Sequence, residues 1–208
     1  MVYVRNIYYL IYIILNLVFD NLASNCYRDF GNKNEVKQEY MFIIGILFGI
    51  VNGSSRLFWG YLMDKFGFKP LMLIISFLEI SIAASFYFIV SINILYLISV
   101  LLVSLCIGGH FSLLAPLFNK VYGVSIGPQT YGMCGIFIGL ANLTGPLLCA
   151  FFLKEKSDFL ISFLISGSIV IIKIICLFLF DENEKYNFNE NEENDIGKVQ
   201  RESTNMEQ

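Results

Sequence analysis

The stretch WGYLMDKFGFKP, residues 59–70, decides the fold class of this chain. It places an aspartate and two lysines between strongly apolar runs. Gly67 can reverse the chain because glycine tolerates a positive φ. Asp64 can cap a helix or pair with a base, and Lys65 and Lys69 can hold the turn at the level of the lipid headgroups. The stretch therefore predicts a short polar turn between two membrane-spanning helices.

The chain on either side is apolar enough to fill a membrane. Of its 208 residues, 56% are hydrophobic and only 15% are charged, whereas about a quarter are charged in a soluble domain. Runs of about 18 or more mostly apolar residues are typical of membrane-spanning helices. We therefore predict an all-α, multi-pass protein in a lipid bilayer, with six spans at about residues 2–19, 40–58, 70–90, 94–115, 131–153 and 158–180.

The two ends of the chain differ in character. The first span leads to Asp20-Asn21-Leu22 and not to a small-residue cleavage site, which favours a signal anchor over a removed signal peptide. The last 28 residues, 181–208, hold nine acids and three bases and so carry a net charge of −6. The whole chain carries −3, which leaves +3 for the membrane portion. This composition predicts a disordered acidic tail.

Several functional classes are disfavoured by the sequence. The five cysteines fall mostly inside predicted spans without C-x-x-C spacing, so we expect apolar packing residues and neither a disulfide framework nor a metal site. One histidine, no G-x-S-x-G and no phosphate loop predict that the chain is not an enzyme and needs no cofactor. The charge balance does not favour nucleic-acid binding.

The turn at residues 59–70 resembles the conserved loop motif of the major facilitator superfamily, G-x-L-x-D-[RK]-x-G-[RK]-[RK]. Phe68 stands where that motif has a base, and the matching residues are Gly60, Leu62, Asp64, Lys65, Gly67 and Lys69. Six basic residues on one predicted side against five on the other leave the orientation open. The resemblance implies a cytoplasmic loop that acts in conformational switching, cytoplasmic termini, and an ion pair between Arg56 and this loop.

A second resemblance concerns residues 108–123, GGHFSLLAPLFNKVYG, and residues 131–148, YGMCGIFIGLANLTGPLL. Together they look like helices ten and eleven of the oxalate/formate antiporter and monocarboxylate-carrier branches. The lysine expected near Ile138 in oxalate-type members is missing. The resemblance implies the C-terminal six-helix half of a twelve-helix carrier. Its partner would be an N-terminal half or a second copy.

The activity implied is secondary active transport by alternating access, as a symporter or an antiporter. The expected cargo is a small organic anion such as a monocarboxylate, and proton coupling is one option. A carrier for amino acids or another polar metabolite remains open. A non-transporting half-carrier, acting as a membrane interaction or receptor-like subunit, remains open as well.

The first span carries a polar stripe of residues four apart, which places them along one side of a helix. Such a stripe should face protein or water, because lipid cannot satisfy its hydrogen bonds. We predict that Tyr8, Tyr12 and Asn16 contact substrate. The alternative is an aromatic and amide packing face, with Asp20 at the membrane surface.

Other polar residues at membrane depth are candidates for function. His110, the only histidine, has a side chain whose intrinsic pKa suits proton coupling, although it could also be a helix–helix contact beside Gly108 and Gly109. Arg56 is the strongest cationic candidate for a carboxylate, and Asn142 is a weaker polar candidate. Two further sets are expected to be structural: an ion pair between Glu79 and Lys173, and glycine packing faces at Gly45, Gly49, Gly53, Gly135 and Gly139.

Overall fold

The computed structural model describes residues 19–151 and 156–179, and almost all of them are helical. Tyr8, Tyr12, Asn16 and the acidic tail of residues 181–208 lie outside this part of the chain. The helices are α1 over residues 19–33, α2 over Gln38–Phe66, α3 over Phe68–Ile89, α4 over Asn93–Phe151 and α5 over Lys156–Leu179.

Four of these helical segments are long and apolar enough to cross a membrane: Gln38–Phe66, Phe68–Ile89, Asn93–Gly123 and Asp158–Phe178. They correspond to the second, third, fourth and sixth predicted spans. The fifth predicted span, 131–153, lies largely in the C-terminal part of α4, which is not among the four. The first predicted span, 2–19, falls almost wholly outside the described residues.

The helix α1 continues well past the point where the first span was expected to end. Its buried apolar residues are Phe19, Leu22, Ala23, Cys26 and Phe30, the spacing of one helical face packed against a core. Asp20 and Asn21 interrupt the apolar run, so the predicted span ends before them. Both side chains are nevertheless buried. Asp20 therefore lies inside the bundle, which does not favour the alternative that places it at the membrane surface.

The turn expected within residues 59–70 consists of a single residue. Helix α2 runs on through Phe66, and α3 begins at Phe68. Gly67 alone breaks the helix, with φ 77° and ψ −179°, a backbone region that essentially only glycine adopts. Gly123 breaks α4 in the same way, with φ 79° and ψ 162°, and divides it into a first arm and a second arm. Each glycine follows an aromatic residue.

Helix α2 packs mainly against α4, and α3 packs against α4 and α5. One apolar cluster is centred on Trp59, Phe68 and Met72. A second surrounds Phe30, whose ring contacts those of Phe86, Tyr96, Phe159 and Phe163 at centroid distances of 5.2–6.2 Å. On α3 and α5 the buried charged residues lie between these two clusters.

Helices also cross closely at two glycines that were not predicted to be a packing face. A Cβ on Gly108 would stand 1.8 Å from Ser55 Oγ, and one on Gly109 would stand 2.5 Å from Ile75 Cδ1. By contrast, a Cβ on Gly49, Gly53, Gly135 or Gly139 would meet no described atom within 4 Å. The open glycines therefore do not act as packing faces within the described part of the chain.

The cysteines do not all behave as predicted. Cys106 and Cys134 are free thiols. Cys26, however, is disulfide-bonded, which corrects the expectation that the cysteines serve only as apolar packing residues.

Candidate functional site

Four ionisable side chains from four different helices meet in the interior of the bundle. They are Asp20 of α1, Glu79 of α3, His110 of α4 and Lys173 of α5, and we refer to them as the charge cluster. Each is at most 1% exposed. Ionisable groups at membrane depth are costly and commonly functional, so this cluster is the first candidate site.

Within the charge cluster, His110 lies between the other three groups. Its Nδ1 is 2.5 Å from Asp20 Oδ2, and its Nε2 is 3.3 Å from both Glu79 Oε1 and Lys173 Nζ. Lys173 also donates a hydrogen bond to Glu79 Oε2. The expected pairing of Glu79 with Lys173 is therefore present as a contact, and it is joined to His110.

One distribution of protons fits these contacts. With Nδ1 protonated, His110 donates to Asp20, and Nε2 can accept from Lys173. In that arrangement Glu79 Oε1 has no hydrogen-bond partner, and neither has Asp20 Oδ1. Buried polar atoms are normally satisfied, so the cluster has the capacity to take up one more proton.

The charges of the cluster lead to the same conclusion. Two carboxylates, one ammonium and a neutral imidazole sum to −1 in an apolar interior. Burying net charge costs free energy unless it is compensated, so one additional proton brings the cluster to neutrality. A proton on His110 Nε2 would also supply the donor that Glu79 Oε1 lacks.

The cluster has the spacing of a metal site, but its composition argues against that function. Ligand atoms of Asp20, Glu79 and His110 all lie within 4.8 Å of one another. Lys173 Nζ contacts two of these three residues, so a bound cation would meet a like charge at short range. The donor set therefore suits a proton better than a metal ion.

A second polar group lies on the side of α2 that faces the first arm of α4. The Arg56 guanidinium donates a hydrogen bond from Nη2 to Asn52 Oδ1 at 3.3 Å. It also lies over the Phe111 ring, 5.3 Å from the ring centroid. The hydroxyl of Tyr131, on the second arm of α4, lies 3.5 Å from the Phe111 carbonyl oxygen. We call Asn52, Arg56, Phe111 and Tyr131 the Arg56 site. An arginine in this setting can bind a carboxylate, because the guanidinium presents several donors in one plane.

A family model describing the Major Facilitator Superfamily matches residues 6–203 of the chain. The chain belongs to the Major Facilitator Superfamily. It is accordingly an integral, multi-pass membrane protein of a transporter family that handles small molecules. No curated relative matches the chain.

The residues of the superfamily loop motif are not gathered into one turn. Gly60, Asp64 and Lys65 lie on the last turns of α2, and Lys69 lies on the first turn of α3. Asp64 makes no hydrogen bond or ion pair with another residue of the described segments. The implied pair between Arg56 and this loop is not formed in this structure, where Arg56 contacts Asn52 and Phe111.

The remaining candidate, Asn142, is exposed on the second arm of α4. Sequence reasoning missed the contact between Asp20 and His110. A usable signal was present: Asp20, Glu79, His110 and Lys173 are all ionisable residues that interrupt otherwise apolar runs. Such residues tend to meet, since each relieves the desolvation cost of the others.

Proposed function

We propose that the chain forms the C-terminal six-helix half of a secondary active carrier that moves a small organic anion, such as a monocarboxylate, together with a proton. Alternating access is the proposed mechanism, and the other wall of the transport cavity comes from an N-terminal half or a second copy. The observation that carries the proposal is the contact of His110 with both carboxylates and with Lys173, fully buried in the bundle.

The proton binds at the charge cluster. In the proton-free state Lys173 donates to His110 Nε2 and to Glu79. Proton binding at Nε2 removes that acceptor, so Lys173 withdraws to Glu79 alone while His110 donates to Glu79 Oε1. The proton and Lys173 therefore compete for one nitrogen, and the side chains of α3, α4 and α5 shift when the proton binds or leaves.

The anion binds at the Arg56 site, where Asn52 and Phe111 hold the guanidinium in position before the ligand arrives. Preorganisation of this kind lowers the entropy cost of binding. The Phe111 ring offers an apolar surface beside the guanidinium. These features fit a small molecule with one carboxylate and a short apolar body.

The two sites are linked by the close crossing of α2 and α4. Gly108 packs directly on Ser55, next to Arg56, and Trp59 Nε1 donates to the Leu105 carbonyl oxygen at 3.0 Å. His110 follows two residues after Gly108. Because this crossing has no spare space, a shift of His110 is transmitted to the helix that carries Arg56.

The test is uptake of radiolabelled pyruvate and lactate into proteoliposomes that contain the chain, with and without an acidic exterior. Acid outside should accelerate uptake by the wild-type protein. The His110→Gln variant should lose that acceleration, because glutamine retains hydrogen bonding but cannot bind the proton. Arg56→Gln should lose anion uptake at either pH.

Three outcomes would contradict parts of this proposal. Intact pH dependence in His110→Gln would remove the proton site. Competition by amino acids but not by pyruvate or lactate would indicate a polar-metabolite carrier instead. Flux equal to that of empty vesicles for every solute would exclude transport by two copies of the chain, and leaves either a required N-terminal half or a non-transporting membrane subunit.

A further inference from the structure

A separate cavity of about 320 Å³ opens where α1 ends and α2 begins. Three polar and two apolar side chains line it, and we call it the Arg28 pocket: Arg28, Asn32, Gln38, Met41 and Phe42. Its volume lies at the lower end of the range for small-molecule sites. It is at the opposite end of α2 from the loop motif.

Arg28 provides the charge of this pocket. Its side chain is exposed and forms no hydrogen bond or ion pair with any other residue in the described segments. One wall is held by Gln38 Nε2, which donates to Asn32 Oδ1 at 3.1 Å. The pocket therefore combines an available guanidinium, two side-chain amides and an apolar surface from Met41 and Phe42.

The pocket continues onto the face of α2 that carries Arg56. Arg28 Nη2 lies 3.6 Å from the position that a Cβ on Gly45 would occupy. Gln38, Gly45 and Asn52 are spaced by seven residues and so share one face of the helix, with Arg56 on the next turn. The two arginines are thus separated by about three helical turns, roughly 16 Å.

Between the two arginines this face of α2 is open. A Cβ on Gly49 or Gly53 would meet no described atom within 4 Å. Arginine and asparagine side chains at membrane depth are not tolerated against lipid, so the face must contact water or protein. Water on this face would connect the pocket to the Arg56 site.

We propose that the Arg28 pocket is the first binding site for the transported anion. A small carboxylate pairs with the Arg28 guanidinium while its apolar part rests on Met41 and Phe42, and it then moves along the open glycine face of α2 to Arg56. This inference rests on the proposed function in its choice of an organic anion as cargo.

The first test is kinetic. Arg28→Gln should raise the KM for pyruvate uptake about tenfold, the loss expected for one charge-assisted hydrogen bond, with little change in the maximal rate. Arg28→Lys should keep part of the affinity. The matched control is Lys37→Gln, which removes an exposed positive charge near the pocket but not lining it, and should behave as wild type.

An unchanged KM in Arg28→Gln would overturn the inference. An equal rise of KM in Lys37→Gln would also overturn it, because the effect would then reflect the general surface potential. Both outcomes leave the proposed function intact as long as the wild-type protein transports pyruvate.

The second test does not require transport. The detergent-solubilised chain reacts with phenylglyoxal, which modifies arginine, in the presence of pyruvate or of chloride at equal ionic strength. Mass spectrometry then measures the fraction of Arg28 that is modified. Pyruvate should protect Arg28 several-fold more than chloride does. Equal protection by both anions would overturn the pocket as a carboxylate site, while protection without any vesicle uptake would contradict only the part of the proposed function in which a second copy completes the carrier.

Discussion

At the residue scale, the charge cluster follows from the cost of burying charge. Lys173 is fully buried on α5, and its ammonium is tolerated because Glu79 and His110 contact it. Breaking one half of a buried ion pair costs far more than removing both halves, because the remaining charge is left uncompensated.

This difference predicts the behaviour of three variants. Lys173→Met should destabilise the protein by about 3–5 kcal/mol, since it leaves Glu79 buried without its cation. The Glu79→Gln/Lys173→Met double variant should recover much of that loss. Exposed Lys65→Met is the control and should stay within about 0.5 kcal/mol.

The measurement is thermal unfolding in detergent, where about 1 kcal/mol corresponds to roughly 2–4 °C in Tm for a chain of this size. A double variant no more stable than Lys173→Met would show that the pair does not stabilise the bundle in this way.

At the scale of the helices, glycine has two distinct functions in this chain. Gly108 and Gly109 permit close approach of α4 to α2 and α3, whereas Gly67 and Gly123 adopt backbone angles that break a helix. On α2, a Cβ on Gly49, Gly53 or Gly60 would meet no described atom within 4 Å. Substitution by alanine should therefore lower the stability of the protein at Gly108 and maintain or raise it at Gly49.

Gly108→Ala should destabilise the protein by about 1–3 kcal/mol, because its Cβ would overlap Ser55 Oγ and stand 2.8 Å from the Asn52 carbonyl oxygen. Gly49→Ala is the matched control on the open face. It should be neutral or stabilise by up to about 1 kcal/mol, since alanine favours a helix. Thermal unfolding of the two variants checks this, and equal Tm values would contradict the close crossing.

Gly67→Ala tests the helix break itself. A Cβ at φ 77° is strained by about 1–3 kcal/mol even though no neighbouring atom lies within 4 Å. Gly60→Ala, two turns earlier in the helical part of α2, should not lower the free energy of unfolding. If Gly67→Ala unfolds at the same temperature as Gly60→Ala, the break does not depend on glycine.

At the scale of the whole molecule, the apolar surface and the helix lengths define how the bundle meets the bilayer. Large apolar side chains remain exposed on several helices, including Phe42, Leu57, Phe77, Phe88 and Phe178. Helix α2 has 29 residues and is roughly 43 Å long, more than the hydrocarbon core of about 30 Å. Its two ends should therefore lie on opposite sides of the membrane.

Single cysteines at Lys37 and Lys65 test this topology. In sealed vesicles of known sidedness, an impermeant maleimide should label Lys65→Cys only from the cytoplasmic side and Lys37→Cys only from the other side. Labelling of both positions from the same side would contradict a membrane-spanning α2. Labelling of each from the reverse side would invert the proposed orientation.

Much of the architecture is predictable from the sequence because hydrophobicity is a local property. The apolar runs identify the spans that correspond to α2, α3, the first arm of α4 and α5. The helix break at Gly67 is likewise predicted from the sequence, whereas Phe48-Gly49 shows that an aromatic–glycine pair can also lie inside a helix. The motif around Asp64 already resembled the superfamily to which the chain belongs.

Tertiary structure alone decides which polar side chains meet. Asp20 and His110 are ninety residues apart, and only the packing of α1 against α4 brings them to 2.5 Å. Likewise, the approach of Arg28 to Gly45 depends on how α1 ends beside α2. Local composition determines that these segments are helices in a membrane, whereas the contacts between helices depend on complementary shapes and buried charges far apart in the chain.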